Sequence, residues 1–184
     1  MKAILLAFAL LLVCQNVLAL EVAGVHVEQT IAVNNQVLKL NGCGIRKKFF
    51  VKVYVGSFYA AKHLATPLDV LQDNGDKLIR MNFVHSRVSK EKIIEAFEDG
   101  FAANSLIAGS EEVRKFLSFF TADFVKGDTV DLQLGADGTV VVRQNGKTLG
   151  TIKSVRLVRG ILSIYFGEKP ADEGLKEGML GRES

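Results

Sequence analysis

Asn41-Gly42-Cys43-Gly44-Ile45-Arg46-Lys47-Lys48-Phe49-Phe50-Val51-Lys52-Val53-Tyr54-Val55-Gly56-Ser57-Phe58-Tyr59-Ala60 is the stretch on which the reading of this chain turns. Its glycines predict a turn at residues 41–44, which delivers an arginine into a run from Phe49 to Ala60 that is apolar at most positions. Strand alternation sets Phe49, Val51, Val53 and Val55 on one side, and Phe50, Lys52, Tyr54 and Phe58 on the other. A strand apolar on both faces is expected inside a covered sheet. Arg46, Lys52 and Tyr54 then point into apolar surroundings, where a charge is costly unless it is paired or holds a ligand. These residues are the first candidates for a site.

Outward from that strand, the rest of the chain resolves into short elements. Val22 to Val27 and Val37 to Leu40 read as strands around a polar turn at Asn34-Asn35. Thr66 and Pro67 open a short helix, and Leu78 to Val84 is a further strand. Ser89 caps a helix that repeats Ile93, Phe97 and Phe101 at fourfold spacing, and Ser110 caps one carrying Val113, Phe116, Leu117 and Phe120. Both stripes read as core. Asp137-Gly138 and Asn145-Gly146 separate three apolar runs between residues 129 and 152, the signature of a hairpin meander. Val155 to Phe166 is apolar nearly all round and stops at Gly167, as a buried helix does, and a last helix covers residues 173–180. The class is α+β, with helices layered on a mostly antiparallel sheet.

Charge and targeting narrow the function. The net charge of +3, the absence of tryptophan and the scattered lysines give no nucleic-acid footprint. Residues 1–19 read as a signal peptide: Lys2 supplies the basic start, Ala3 to Val13 the apolar stretch, and Val17-Leu18-Ala19 the cleavage site. The apolar stretch is short for a bilayer and is followed by Gln15 and Asn16, so no stable membrane span is expected after its removal. The mature chain, residues 20–184, is then one exported domain, periplasmic or secreted. Cys43 is its single cysteine, which rules out an intrachain disulfide, and it reads as a small buried apolar residue. His26, His63 and His85 are too scattered for a metal-ligand motif, and no cofactor is expected.

Taken in order, several motifs resemble the chalcone isomerase-like family, in particular its bacterial secreted branch. They are Gly42-x-Gly44-x-Arg46, Phe50 to Tyr59, Lys126-Gly127-Asp128, Asp137-Gly138-Thr139, Asn145-Gly146-Lys147 and Phe166-Gly167-Glu168-Lys169-Pro170. The likeness spans residues 21–182 and implies an open-faced β-sandwich with a ligand cleft between a large antiparallel sheet and a helix layer. Plant enzymes of this family close a chalcone to a flavanone, using a cation for the phenolate and hydrogen-bond donors for the developing enolate. Non-enzymatic relatives use an arginine and tyrosines to bind fatty-acid carboxylates. By this resemblance Arg46 is the cleft arginine, and Tyr54 stands where the enzymes carry a threonine. Val88 stands where they carry a catalytic tyrosine, and valine donates no hydrogen bond.

The resulting expectation is a non-catalytic binder of a small amphipathic acid, fatty or aromatic. Arg46 takes the anionic head, Tyr54 adds a hydrogen bond, and Phe50 and Phe97 line the apolar part. Lys52 sits at the rim, and Arg87 substitutes for the missing donor. One alternative is an isomerase, an intramolecular lyase acting on a phenolic enone with Arg46 as anchor. Another is an envelope accessory protein whose cleft is filled by Phe49, Phe50, Phe116 and Phe120 and which acts through its surface. The oligomeric state is left open.

Overall fold

Turn chemistry sets up the sheet. The computed structural model describes residues 20–182, so the signal peptide expected over residues 1–19 lies outside the described residues. Asn34 and Asn35 take φ of 49° and 62°, which short amide side chains tolerate, and they join β3 (Thr30–Val33) to β4 (Gln36–Lys48). Asn145 and Gly146, at 50° and 80°, join β10 (Thr139–Gln144) to β11 (Lys147–Lys153) in the same way. With β5 (Val51–Ala60), β6 (Lys77–Phe83) and β9 (Thr129–Leu134) they form one antiparallel sheet of seven strands, ordered β11-β10-β9-β6-β5-β4-β3. The segment expected as one strand from Val22 to Val27 is instead a hairpin. β1 (Leu20–Val22) and β2 (Val25–Val27) meet at Ala23 and Gly24, both with positive φ.

Among the described residues, five helices follow the capping residues. Thr66, Ser89, Ser110, Ser154 and Asp172 each accept a backbone N–H at the start of α1 (Pro67–Gln72), α2 (Lys90–Asn104), α3 (Glu111–Leu117), α4 (Val155–Phe166) and α5 (Glu173–Met179). Each such cap is worth about 1 kcal/mol. The two-stranded pair β7 (Arg87–Val88) and β8 (Phe124–Val125) ties the approach to α2 to the end of α3. The main core lies between the helices and one face of the sheet. There Phe97 packs edge-on to Phe116 at 5.1 Å and stacks on Phe120 at 5.4 Å. A second cluster on the other face gathers Val33, Leu38, Tyr59 and Leu78.

The opening stretch folds differently from its reading in two respects. Residues 41–44 are not a turn; they lie inside β4, which continues through them with a bulge between Leu40 and Gly42. Glycine is needed there because α5 lies directly on the strand. A Cβ on Gly44 would stand 2.9 Å from the Cα of Leu175, and one on Gly42 would strike the carbonyl of Gly178. The true turn is Phe49-Phe50, and Phe50 is fully exposed, so it lines no cleft. The second departure is a bulge beside Arg46. Arg46 pairs with Tyr54 but Lys47 pairs with Lys52, which leaves Val53 as the extra residue. A bulge re-aims the side chains beyond it. Val51 and Val53 therefore share the Arg46 face, and Lys52 stays exposed outside the pockets that Arg46 lines.

Candidate functional site

Arg46 and Tyr54 are cross-strand neighbours on β4 and β5, facing the helix layer. Arg46 is half-buried, whereas Tyr54 is 4% exposed, with its ring edge-on to Phe83 at 5.7 Å. Phe83 is the partner of Tyr54 on β6 and stacks in turn on Phe124 at 4.6 Å, so the phenol ring has little freedom. A second tyrosine arrives from α4. Tyr165 is buried, and its hydroxyl donates to Met81 Sδ at 3.5 Å, a weak acceptor. α5 completes the surroundings: the Asp172 Oδ1 accepts from the N–H of Leu175 and its Oδ2 from the N–H of Lys47, each at 2.9 Å.

Electrostatics follow from that packing. Burial pushes the Tyr54 hydroxyl up, opposed chiefly by the Arg46 charge, while Asp172 adds to the rise. Burial also pushes Tyr165 well above its ordinary value, and the neighbouring Tyr54 acts in the same direction. Both phenols are therefore neutral donors at physiological pH. None of the ion pairs among the described residues involves Arg46.

Two cavities meet at this arginine. An inner one of about 20 Å³ is walled by Arg46, Tyr54, Met81, Phe97, Tyr165 and Ala171, and has room for about one water molecule. An outer one of about 320 Å³ runs between the β4–β5 hairpin and α2, at the lower end of small-molecule pocket sizes. Lys48, Val51, Val53, His85, Val88 and Lys92 contribute to its lining. Arg46, Ile93 and Ala96 line both. A guanidinium at that junction, with phenol donors behind it and an apolar wall in front, suits a carboxylate or phenolate bearing an apolar body. A larger hollow, about 720 Å³ between α1 and the ends of α2 and α4, shares no residue with these two.

A model of the family described as chalcone isomerase-like matches residues 19–181. The chain belongs to the chalcone isomerase-like family. A curated Arabidopsis thaliana relative, fatty-acid-binding protein 1, is 25% identical over 118 residues, which is 61% of this chain and 42% of that protein. The chain thus spans less than half of that relative's length. The crystal structure of an Arabidopsis thaliana fatty-acid binding protein superposes with a TM-score of 0.67 at 20% identity, covering 86% of this chain and 92% of that one. That likeness shows the chalcone isomerase-like fold.

Within this chalcone isomerase-like fold, the predicted residues separate. Arg46, Tyr54 and Phe97 converge at the inner cavity. Arg87 reaches only the outer pocket, and its guanidinium donates to Asp123 at 2.6 and 2.8 Å. Phe116 and Phe120 belong to the core, whereas Phe50 projects into solvent and Phe49, though mostly exposed, borders the outer pocket. Sequence reasoning missed Tyr165, Met81 and Asp172. Tyr165 carried a usable signal, as the sole tyrosine in a helix otherwise read as buried, where its hydroxyl needs a partner. Asp172 and Met81 carried none, since an N-cap carboxylate and a strand methionine have ordinary structural roles.

Proposed function

We propose that this chalcone isomerase-like protein is a non-catalytic binder of a small amphipathic acid. The carboxylate lies against Arg46, takes a hydrogen bond from the Tyr54 hydroxyl, and leaves its apolar part between the β4–β5 hairpin and α2. One observation carries the reading: an arginine without an ion pair among the described residues stands where a 320 Å³ pocket meets a cavity walled by two buried phenols. The relative described as a fatty-acid-binding protein supports the ligand class. Val88 supports binding over cyclisation, because it presents a buried apolar wall to the pocket where a catalytic donor would be needed.

Calorimetric titration with fatty acids of increasing chain length and with aromatic acids tests the proposal. Saturable one-to-one binding of the acid, and none of the corresponding alcohol or methyl ester, is expected. Equal binding of acid and ester would overturn the anionic-head assignment. Turnover of chalcone-type substrates above the uncatalysed background would replace the binding reading with the isomerase. Export directed by residues 1–19 belongs to the same proposal, and the purified protein should then begin at Leu20.

A further inference from the structure

The tip of the β4–β5 hairpin holds a run of exposed apolar side chains. Phe49 is 87% exposed, Phe50 101% and Val51 46%, three consecutive apolar residues at the end of a two-residue turn. Phe49 takes φ of 57°, a backbone conformation that asparagine or glycine adopts with less strain than a bulky aromatic. Neither packing nor turn chemistry therefore accounts for an aromatic there. Lys47, Lys48 and Lys52 flank the tip, and the sequence has no acidic residue between Asn41 and Ala60. Lys47 and Lys52 face each other across the strands, both exposed.

We propose that this tip docks on an anionic lipid bilayer. The two phenylalanines enter the headgroup region, where aromatic rings partition, and the lysines meet the negative surface potential. Charge selects this occupant over a second copy of the chain, because pairing two tips would bring like-charged lysines together. The placement also fits, since Lys48, Phe49 and Val51 form one wall of the outer pocket and Arg87 and Lys92 stand on another, with Glu95 the lone carboxylate in the lining. Docking through the tip therefore sets the pocket mouth against the membrane. An amphipathic acid could pass between bilayer and pocket with little exposure of its apolar body to water. That last consequence rests on the proposed function; the docking does not.

Vesicle flotation tests the docking without added acid, so its failure leaves the acid-binding reading to its own titration. The full chain is expressed and purified in the processed form that accumulates, then mixed with phosphatidylcholine vesicles with or without phosphatidylglycerol. Wild-type protein is expected to float with the anionic vesicles and to be released by high salt. The double variant Phe49→Asn/Phe50→Ser should lose at least about tenfold in partitioning. Its thermal midpoint should not fall, because asparagine accepts the positive φ. Lys47→Ser/Lys52→Ser should weaken binding roughly fivefold per lysine. Equal partitioning of wild type and the phenylalanine variant would overturn the proposal. So would wild-type binding to neither vesicle, or a wild-type dimer that the phenylalanine variant dissociates.

Discussion

Two arginines stand on opposite faces of the same sheet and have opposite fates. Arg80, on β6, is engaged on every side: its Nε and Nη2 donate to the two oxygens of Asp131 at 2.7 and 2.9 Å, and its Nη1 donates to Glu28 at 2.6 Å. It fastens β6 to β9 and to the segment before β3. Arg46, on β4, is comparably placed on the helix face, yet none of its nitrogens takes part in an ion pair among the described residues. Its neighbours are a phenol, apolar walls and a pocket. A paired arginine contributes to the fold, and an unpaired half-buried one has electrostatic capacity left for a ligand. The chemistry of the side chain is the same in both places, so the difference lies in what the neighbouring strands and helices bring to it.

That contrast breaks most visibly under substitution. Arg80→Ala leaves Asp131, whose side chain is 11% exposed, without its fork, and should cost about 3 kcal/mol in urea denaturation while folded protein still binds acid. A loss below about 1 kcal/mol would mean that the Arg80 pair is no more structural than a surface bridge. Next in size is an alkaline effect on the same face. Burial, opposed by the Arg80 charge, pushes the Tyr59 hydroxyl up from 10.0 to about 12. The folded state holds this proton more tightly than the unfolded one. The contribution is therefore intact below pH 10 and lost as pH rises from about 10 to about 12, by about 2–3 kcal/mol in all. Tyr59→Phe should flatten that part of the stability profile relative to wild type, with loss of the 3.0 Å bond that Tyr59 donates to the Glu28 carbonyl.

Substitutions on the helix face should show in binding instead. Arg46→Ala should weaken acid binding by roughly 10–100-fold, the worth of a hydrogen bond to a charged group, and shift the folding stability by less than about 1 kcal/mol. A large stability loss without a binding loss would merge the two arginines into one structural class. Tyr54→Phe keeps the ring against Phe83 and removes only the hydroxyl, so a drop of roughly 3–10-fold in affinity is expected. Unchanged affinity would move the second hydrogen bond to Tyr165.

Local signals in the sequence carry most of the fold. Ser89, Ser110 and Thr66 announce their helices, and Asn145-Gly146 and Asn34-Asn35 announce their hairpins, because each of these is satisfied within a few residues. The Gly42-x-Gly44 pair mimics a turn in the sequence because what demands glycine there is α5, which lies near the far end of the chain. Lys52 reads as a neighbour of Tyr54 because period-two alternation has no means of showing the bulge at Val53. Arg46 and Tyr54 are legible as a site since an arginine and a tyrosine in an apolar strand call for partners. Tyr165 joins them only through the packing of α4, and the size of the cavity between them depends on side chains from several separate elements.

Native mass spectrometry of the protein purified from its own cells, beside Arg46→Ala prepared in the same way, tests the central claim most directly. A small acid retained by the wild type and absent from Arg46→Ala is the predicted result. The same adduct on both proteins, or a bare wild type that stays bare after incubation with fatty and aromatic acids, would contradict it.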